Sequence, residues 1–179
     1  MNCCGIYYCD TANGVGIRTS LYVSGCTHHC KGCFNEDTWD FNFGKLFTEE
    51  IANEIINSLK KPYIQGITIL GGEPWEISNQ KVLRPFIERC RKECPDKTIW
   101  TYSGYLFEEL IDPDNKRCHS EDTLPMLQLT DVLVDGEFIL ERKNLRLRFR
   151  GSDNQRIINV PESLAKGEVV LSEYMEGRI

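Results

Sequence analysis

Four apolar runs in this chain each stop on small or polar residues, and this repeated punctuation constrains the fold more than any other feature. Residues 19–23 run into Ser24-Gly25, and residues 64–70 into Gly71-Gly72-Glu73-Pro74. Residues 98–102 run into Ser103-Gly104, and residues 132–134 into Asp135-Gly136-Glu137. Such short runs predict buried strands. Helical patterns lie between them. Thr48 is an N-cap with Glu49 and Glu50 in the first turn. Behind it Ile51, Ala52, Ile55, Ile56 and Leu59 keep the spacing of one buried helix face until Pro62. Ser78 is the expected cap of a second helix, with Val82, Leu83, Phe86, Ile87 and Cys90 as its apolar face and Pro95 as its close. Residues 107–111 predict a short helix. A short strand is expected around residues 5–8, and late strands at 157–160 and 169–171.

This alternation predicts an α/β fold with a mainly parallel sheet. The carboxyl ends of parallel strands form the working rim of such folds, so the four stops should converge in space. Any one of them alone is an ordinary turn; their shared position points to a site. For 179 residues, area scaling gives roughly 8,900 Å² of folded surface against roughly 30,000 Å² unfolded. That is enough for one core, and with no repeats or linkers it predicts a single domain over residues 1–179.

Nine cysteines is an odd number, and no secretion signal accompanies them. Metal binding or redox chemistry is therefore favoured over a disulfide framework. The chain has 21 Lys plus Arg and 27 Asp plus Glu, a net charge of −6. That disfavours generic nucleic-acid binding. No apolar stretch is long enough to span a membrane, and a cytoplasmic protein is expected.

Cys26, Cys30 and Cys33 form a tight group with spacing C-x3-C-x2-C. Three thiolates this close suit an iron–sulfur cluster or zinc. A closed zinc site needs a fourth ligand, which His28 or His29 is awkwardly placed to give. A 4Fe-4S cube held at three corners leaves one iron open to a small-molecule chelate. Ordinary buried thiols are the third reading.

The C-x3-C-x2-C motif resembles that of the radical S-adenosylmethionine (SAM) superfamily. The surrounding run from Gly16-Ile17-Arg18-Thr19 to Gly25-Cys26, with Cys33-Phe34-Asn35, resembles a narrower family, the activators of anaerobic ribonucleoside-triphosphate reductase. Gly71-Gly72-Glu73-Pro74, Thr101-Tyr102-Ser103-Gly104-Tyr105, Asp131-Val132-Leu133-Val134-Asp135-Gly136 and Arg150-Gly151-Ser152 with Asn154-Gln155-Arg156 match it in order. The resemblance covers nearly the whole chain. Two places depart from the pattern. Gly32 stands where the superfamily usually has an aromatic residue, and Asn13-Gly14-Val15-Gly16 replaces the common Asp-Gly-Pro-Gly.

The resemblance implies an open, partial (β/α) barrel with mainly parallel strands, smaller than a full eight-unit barrel. It implies one 4Fe-4S cluster on Cys26, Cys30 and Cys33, and SAM as co-substrate. Gly71 and Gly72 then permit close approach to SAM, Glu73 accepts from its ammonium, and Ser103 reaches its ribose or carboxylate. Phe34 or Tyr102 faces the adenine, and Asn154 contacts SAM or shapes the rim. The implied reaction is reductive cleavage of SAM to a 5′-deoxyadenosyl radical, which takes hydrogen from a glycine of the reductase. The implied partners are that reductase and a one-electron donor such as flavodoxin or ferredoxin. Alternatives are a radical SAM enzyme acting on another substrate, and a non-catalytic zinc or iron–sulfur module.

Several further expectations concern charge and the remaining thiols. Arg18 is expected either to offset the cluster's charge or to face an acidic surface. Arg146, Arg148 and Arg150 alternate as on one side of a strand, giving a partner-docking or anion-binding face or a solvated edge. His28, His29 and His119 are expected to be exposed loop residues, with no general base needed. Cys90 reads as a core thiol, with Cys94 four residues on facing the same way; Cys3, Cys4 and Cys9 are open to burial, an adventitious metal site or contact with the partner, and Cys118 has no expected role.

Overall fold

A computed structural model describes residues 1–176. Seven strands and five helices follow one another: β1 (Asn2–Asp10), β2 (Ile17–Val23), β3 (Lys45–Leu46), α1 (Glu49–Leu59), β4 (Ile64–Gly71), α2 (Ile77–Glu93), β5 (Thr98–Tyr102), α3 (Phe107–Ile111), α4 (Thr123–Leu129), β6 (Val132–Asp135), β7 (Arg156–Asn159) and α5 (Val160–Lys166). The strands form one sheet in the order β3-β1-β2-β4-β5-β6-β7. Its centre, β2-β4-β5-β6, is parallel. The outer pairings, β1 with β2, β1 with β3 and β6 with β7, are antiparallel. The mainly parallel sheet expected from sequence is thus a mixed sheet with a parallel centre. The cause lies in the connections. A parallel return needs a crossover. Residues 11–16 are too few for one, and residues 136–155 loop back over the strand ends without an α-helix.

Side chains alternate across the sheet, and the two faces are covered differently. Leu21, Val23, Ile67, Ile69, Ile99 and Leu133 point toward the helices and share one core with Ile55, Ile56 and Leu59 of α1 and Leu83, Phe86, Ile87 and Cys90 of α2. Trp100, Val132, Val134 and Ile157 point the other way. They are covered by Val15 and Phe149 from loops and by Tyr174 and Met175 from a short 3-10 helix, Glu173–Glu176. Arg18 belongs to this second face, at the amino-terminal end of β2. It is 1% exposed. Its guanidinium donates to Thr68 Oγ1, Thr98 Oγ1 and the carbonyls of Val15, Ile67 and Thr98, and lies 5.3 Å from the Trp100 ring centroid. Burial pushes its pKa down to about 10. Arg18 therefore neither serves the cysteine group, which follows the opposite end of β2, nor faces an acidic surface.

Several local expectations are corrected. Thr48 caps α1 as its sequence predicts, but Ser78 does not cap α2, which begins at Ile77 behind Glu76. Val160 starts a helix instead of ending a strand, because Asn159 caps α5 and Pro161 sits in its first turn. Residues 169–171 supply only a bridge from Leu171 to Ile158. No strand forms at 146–150. The Lys143–Ser152 bridge closes a loop there, and Phe149 takes a positive φ of 57°, so the three arginines do not share a strand face. No helix among the described residues is long and apolar enough to cross a membrane.

Gly66 lies between Arg18 and Thr98 in the sheet register. A β-carbon there would stand 1.9 Å from Thr98 O. Gly66→Ala is therefore expected to cost about 3 kcal/mol of stability, since backbone and not a flexible side chain must give way. Urea unfolding followed by circular dichroism measures it; an unchanged midpoint would contradict this close apposition of β4 and β5.

Candidate metal centre

The cysteine loop leaves β2 and is pinned from both sides. The Gly25 and Cys26 amides donate to the carbonyls of Thr38 and Trp39, at 2.8 and 3.3 Å, and the Glu73 amide donates to Gly25 O at 2.8 Å. Two glycines at the end of β4 make this contact possible. A β-carbon on Gly71, which has φ +113°, would meet Val23 O at 2.7 Å, and one on Gly72 would meet Gly25 O at 2.6 Å. The close approach these glycines permit here is therefore that of the chain to itself. Inside the loop His29 and Gly32 take positive φ values of 54° and 70°. The His29 ring stacks on Trp39 at 4.7 Å.

The strand-end stops do converge. Cys26, Cys30, Cys33, Gly71, Gly72, Glu73, Ser103, Gly104 and Gly136 line one cavity of about 480 Å³. Cys26 is buried, and Cys30 and Cys33 are half-buried; all are free thiols. Burial, reinforced by the Glu73 charge, pushes the Cys26 pKa up to about 12. Burial also raises that of Cys30, with Glu137 adding to it. Ligation of metal must displace such protons. Among the described residues no three His, Cys, Asp or Glu side chains gather closely enough for one metal ion. The donor set still suits a cube, since its three thiolate ligands bind three different irons and need not meet at a point.

Glu73 is the hub of the wall. It is 1% exposed, and its carboxylate accepts from the Trp75 amide at 2.9 Å, Ser103 Oγ at 3.1 Å and the Gly104 amide at 2.6 Å. Its neighbour Glu76 accepts from both the amide and the hydroxyl of Thr27, at 2.8 and 2.6 Å. That ties the cysteine loop to the start of α2 and occupies a carboxylate otherwise placed to cap the helix.

His28 corrects the expectation of an exposed loop histidine. Its side chain is 3% exposed, with Nδ1 2.6 Å from Glu137 Oε1 and Nε2 3.1 Å from Glu73 Oε2. The contact with Glu73 is a close charge contact and not an aligned hydrogen bond. Burial pulls the His28 pKa down, but Glu73 and then Glu137 outweigh it and hold it above the ordinary value. His29 is exposed, and His119 is half-buried against Leu110 O.

The remaining candidates are dispersed around the cavity. Phe34 stands at the mouth, 98% exposed. Tyr102 is on the wall, and its hydroxyl donates to Phe149 O at 2.9 Å. Asn154 lies behind the rim and donates to Glu137 O at 2.8 Å, while Gln155 reaches the wall itself. Sequence reasoning missed the contacts of His28 and Glu76 and the wall residue Leu147; Arg150, expected on one strand side with Arg146 and Arg148, lines the wall. The signal for His28 was a carboxylate at each of two strand ends, Glu73 and Glu137, with no Lys, Arg or His within four residues of either.

Residues 12–158 match the family described as a 4Fe-4S single cluster domain. The chain is 44% identical over 159 residues to the anaerobic ribonucleoside-triphosphate reductase-activating protein of Haemophilus influenzae, covering 88% of this chain and 97% of the relative. It is 40% identical over 157 residues to the protein of that name from Escherichia coli K12, covering 87% and 96%. It is 39% identical over 159 residues to that of phage T4, covering 88% and 93%.

The raised Cys26 pKa carries a sign that can be tested. At pH 8 in metal-free protein Cys26 holds its proton and is buried, so iodoacetamide should label exposed Cys9 at least tenfold faster. The Cys26 rate should keep climbing as pH rises toward 12. Mass spectrometry of quenched digests reads both rates; equal labelling at pH 8 would contradict the geometry.

Proposed function

This chain belongs to the family of anaerobic ribonucleoside-triphosphate reductase-activating proteins, and from that premise we propose that Cys26, Cys30 and Cys33 hold its iron–sulfur cluster at the carboxyl ends of the parallel strands. The chain is a radical SAM activase that generates a glycyl radical on anaerobic ribonucleotide reductase. One observation carries the residue assignment: all three thiols of the C-x3-C-x2-C loop line the cavity on which the ends of β2, β4, β5 and β6 converge. When bound, the cluster supplies the electron that cleaves SAM to methionine and a 5′-deoxyadenosyl radical, the species that removes hydrogen from the partner's glycine.

This chain's residues bind, orient and exclude. Gly71, Gly72 and Ser103 form the wall that receives SAM. Glu73 serves that wall from within, because its oxygens fix Ser103 and Gly104. Tyr102 on the wall and Phe34 at the mouth offer aromatic faces for the adenine, and Asn154 holds the rim through Glu137. A primary alkyl radical attacks almost any neighbouring C–H bond, so the protein's task is confinement of the radical and close presentation of one target. The four parallel strands serve as an open, partial barrel within a single domain over residues 1–179, working in the cytoplasm with an external donor such as flavodoxin or ferredoxin.

The partner docks at the cavity mouth. Phe34 and Leu145, 98% and 83% exposed, both line it, and exposed apolar side chains concentrated at one opening mark an interaction surface. Arg146 and Arg148 follow Leu145 in its loop, and among the described residues neither forms a salt bridge.

Anaerobic reconstitution should load about four iron and four sulfide per chain. SAM should be cleaved only under reduction, and a glycyl radical should appear on the reductase by electron paramagnetic resonance. Cys26→Ala, Cys30→Ala and Cys33→Ala should each abolish that signal; full activity in any one removes that residue from the ligand set. Zinc without SAM cleavage would make the chain a binding module instead. Separately, the pair R146E and R148E should slow glycyl-radical formation at least tenfold at low salt and leave SAM cleavage by the reduced protein intact. Unchanged radical formation would place the docking surface elsewhere.

A further inference from the structure

The cysteine loop is held to the β4 end and to residues 38 and 39 by backbone bonds near its start, at Gly25 and Cys26. Its middle is held by side chains: Thr27 donates to Glu76 and His29 stacks on Trp39, and His28 makes the longest reach. His28 lies midway between Cys26 and Cys30 and reaches across the cavity's rim to groups from three other strand ends. Glu137, beyond β6, is 2.6 Å from Nδ1, and Glu73, beyond β4, is 3.1 Å from Nε2. The ring packs against Tyr105, beyond β5, at 4.3 Å between centroids. Gly104 makes room for it: a β-carbon there would fall 2.6 Å from Nε2. One imidazole thus meets residues that follow three different strands, and Glu137 is 109 positions away in sequence.

We propose that His28 is a positioning residue that locks the cysteine loop across the strand ends, fixing the thiols relative to Gly71, Gly72 and Ser103. The inference rests on the cluster assignment above for its consequence in catalysis, but not for the lock itself. A loop bearing an open metal position must be held firmly if a bound co-substrate is to meet the wall in one orientation, because small displacements of reacting groups are costly. The cysteines cannot provide this alone, since all three belong to the segment that needs to be held. Glu137 contributes through His28; its own carboxylate is half exposed and lies outside the cavity wall.

The test is a double-mutant cycle of His28→Ala and Glu137→Ala with two readouts. In metal-free protein, hydrogen exchange of the amides of residues 26–33 should accelerate at least tenfold in either single variant. The double variant should exchange no faster than His28→Ala alone. In the reconstituted protein SAM affinity should fall about tenfold with iron content retained. The change that SAM produces in the resonance spectrum of the reduced cluster should broaden or diminish. Exchange and affinity unchanged in both single variants would overturn the proposal, and so would losses that simply add. If His28→Ala fails to fold, Glu137→Ala at its half-exposed position decides the question. If the unmodified protein takes up no iron, the cluster assignment fails, while the exchange measurement still tests the lock.

Discussion

A carboxylate that water hardly touches organises this molecule's working end. Glu73 follows a central strand of the sheet, buried and ringed by two amides, a hydroxyl and an imidazole. Burying such a charge is costly unless hydrogen-bond donors replace water. The donors come from its own turn and from the loop after β5, and the loop that carries the cysteines brings the His28 ring into close charge contact. Satisfying one charge therefore assembles three segments that are far apart in sequence. Glu76 repeats the arrangement one turn later through Thr27.

What sequence revealed and what it hid follow from the range of the forces involved. β5 and α3 match expectation at both ends because β-branched runs, helical spacing and turn residues act within a few positions. The four stops converge because parallel strands must present their carboxyl ends on one side. The cysteine spacing points to metal by itself. The antiparallel flanks were hidden, because they depend on whether a connection contains a crossover helix. His28 was hidden because its partners lie 45 and 109 residues away. The loop after β6 reads as strand by its alternating Arg and Leu, yet the reversal at Phe149 breaks that pattern through tertiary contact with Trp100.

The second face of the sheet explains how so short a chain keeps one side of its site accessible. Helices bury one face with an apolar core. Loops cover the other, and beneath them lie Arg18, Ser20, Thr68 and Asp10 in a hydrogen-bonded interior. Covering by loops leaves the cavity rim made of irregular chain, and that is where Phe34 and Leu145 are found. Loops are the part of a fold that most readily carries recognition.

The glycines at 72 and 104 have a consequence for how such a protein can change over generations. Neither position has space for even a methyl group, the first against the backbone of the cysteine loop and the second against an imidazole. A mutation at either is felt at once by a neighbouring strand end. Inherited variation is thereby steered to the periphery: the rim can be rewritten for a different recipient, while the inner ring of turns must be passed on whole.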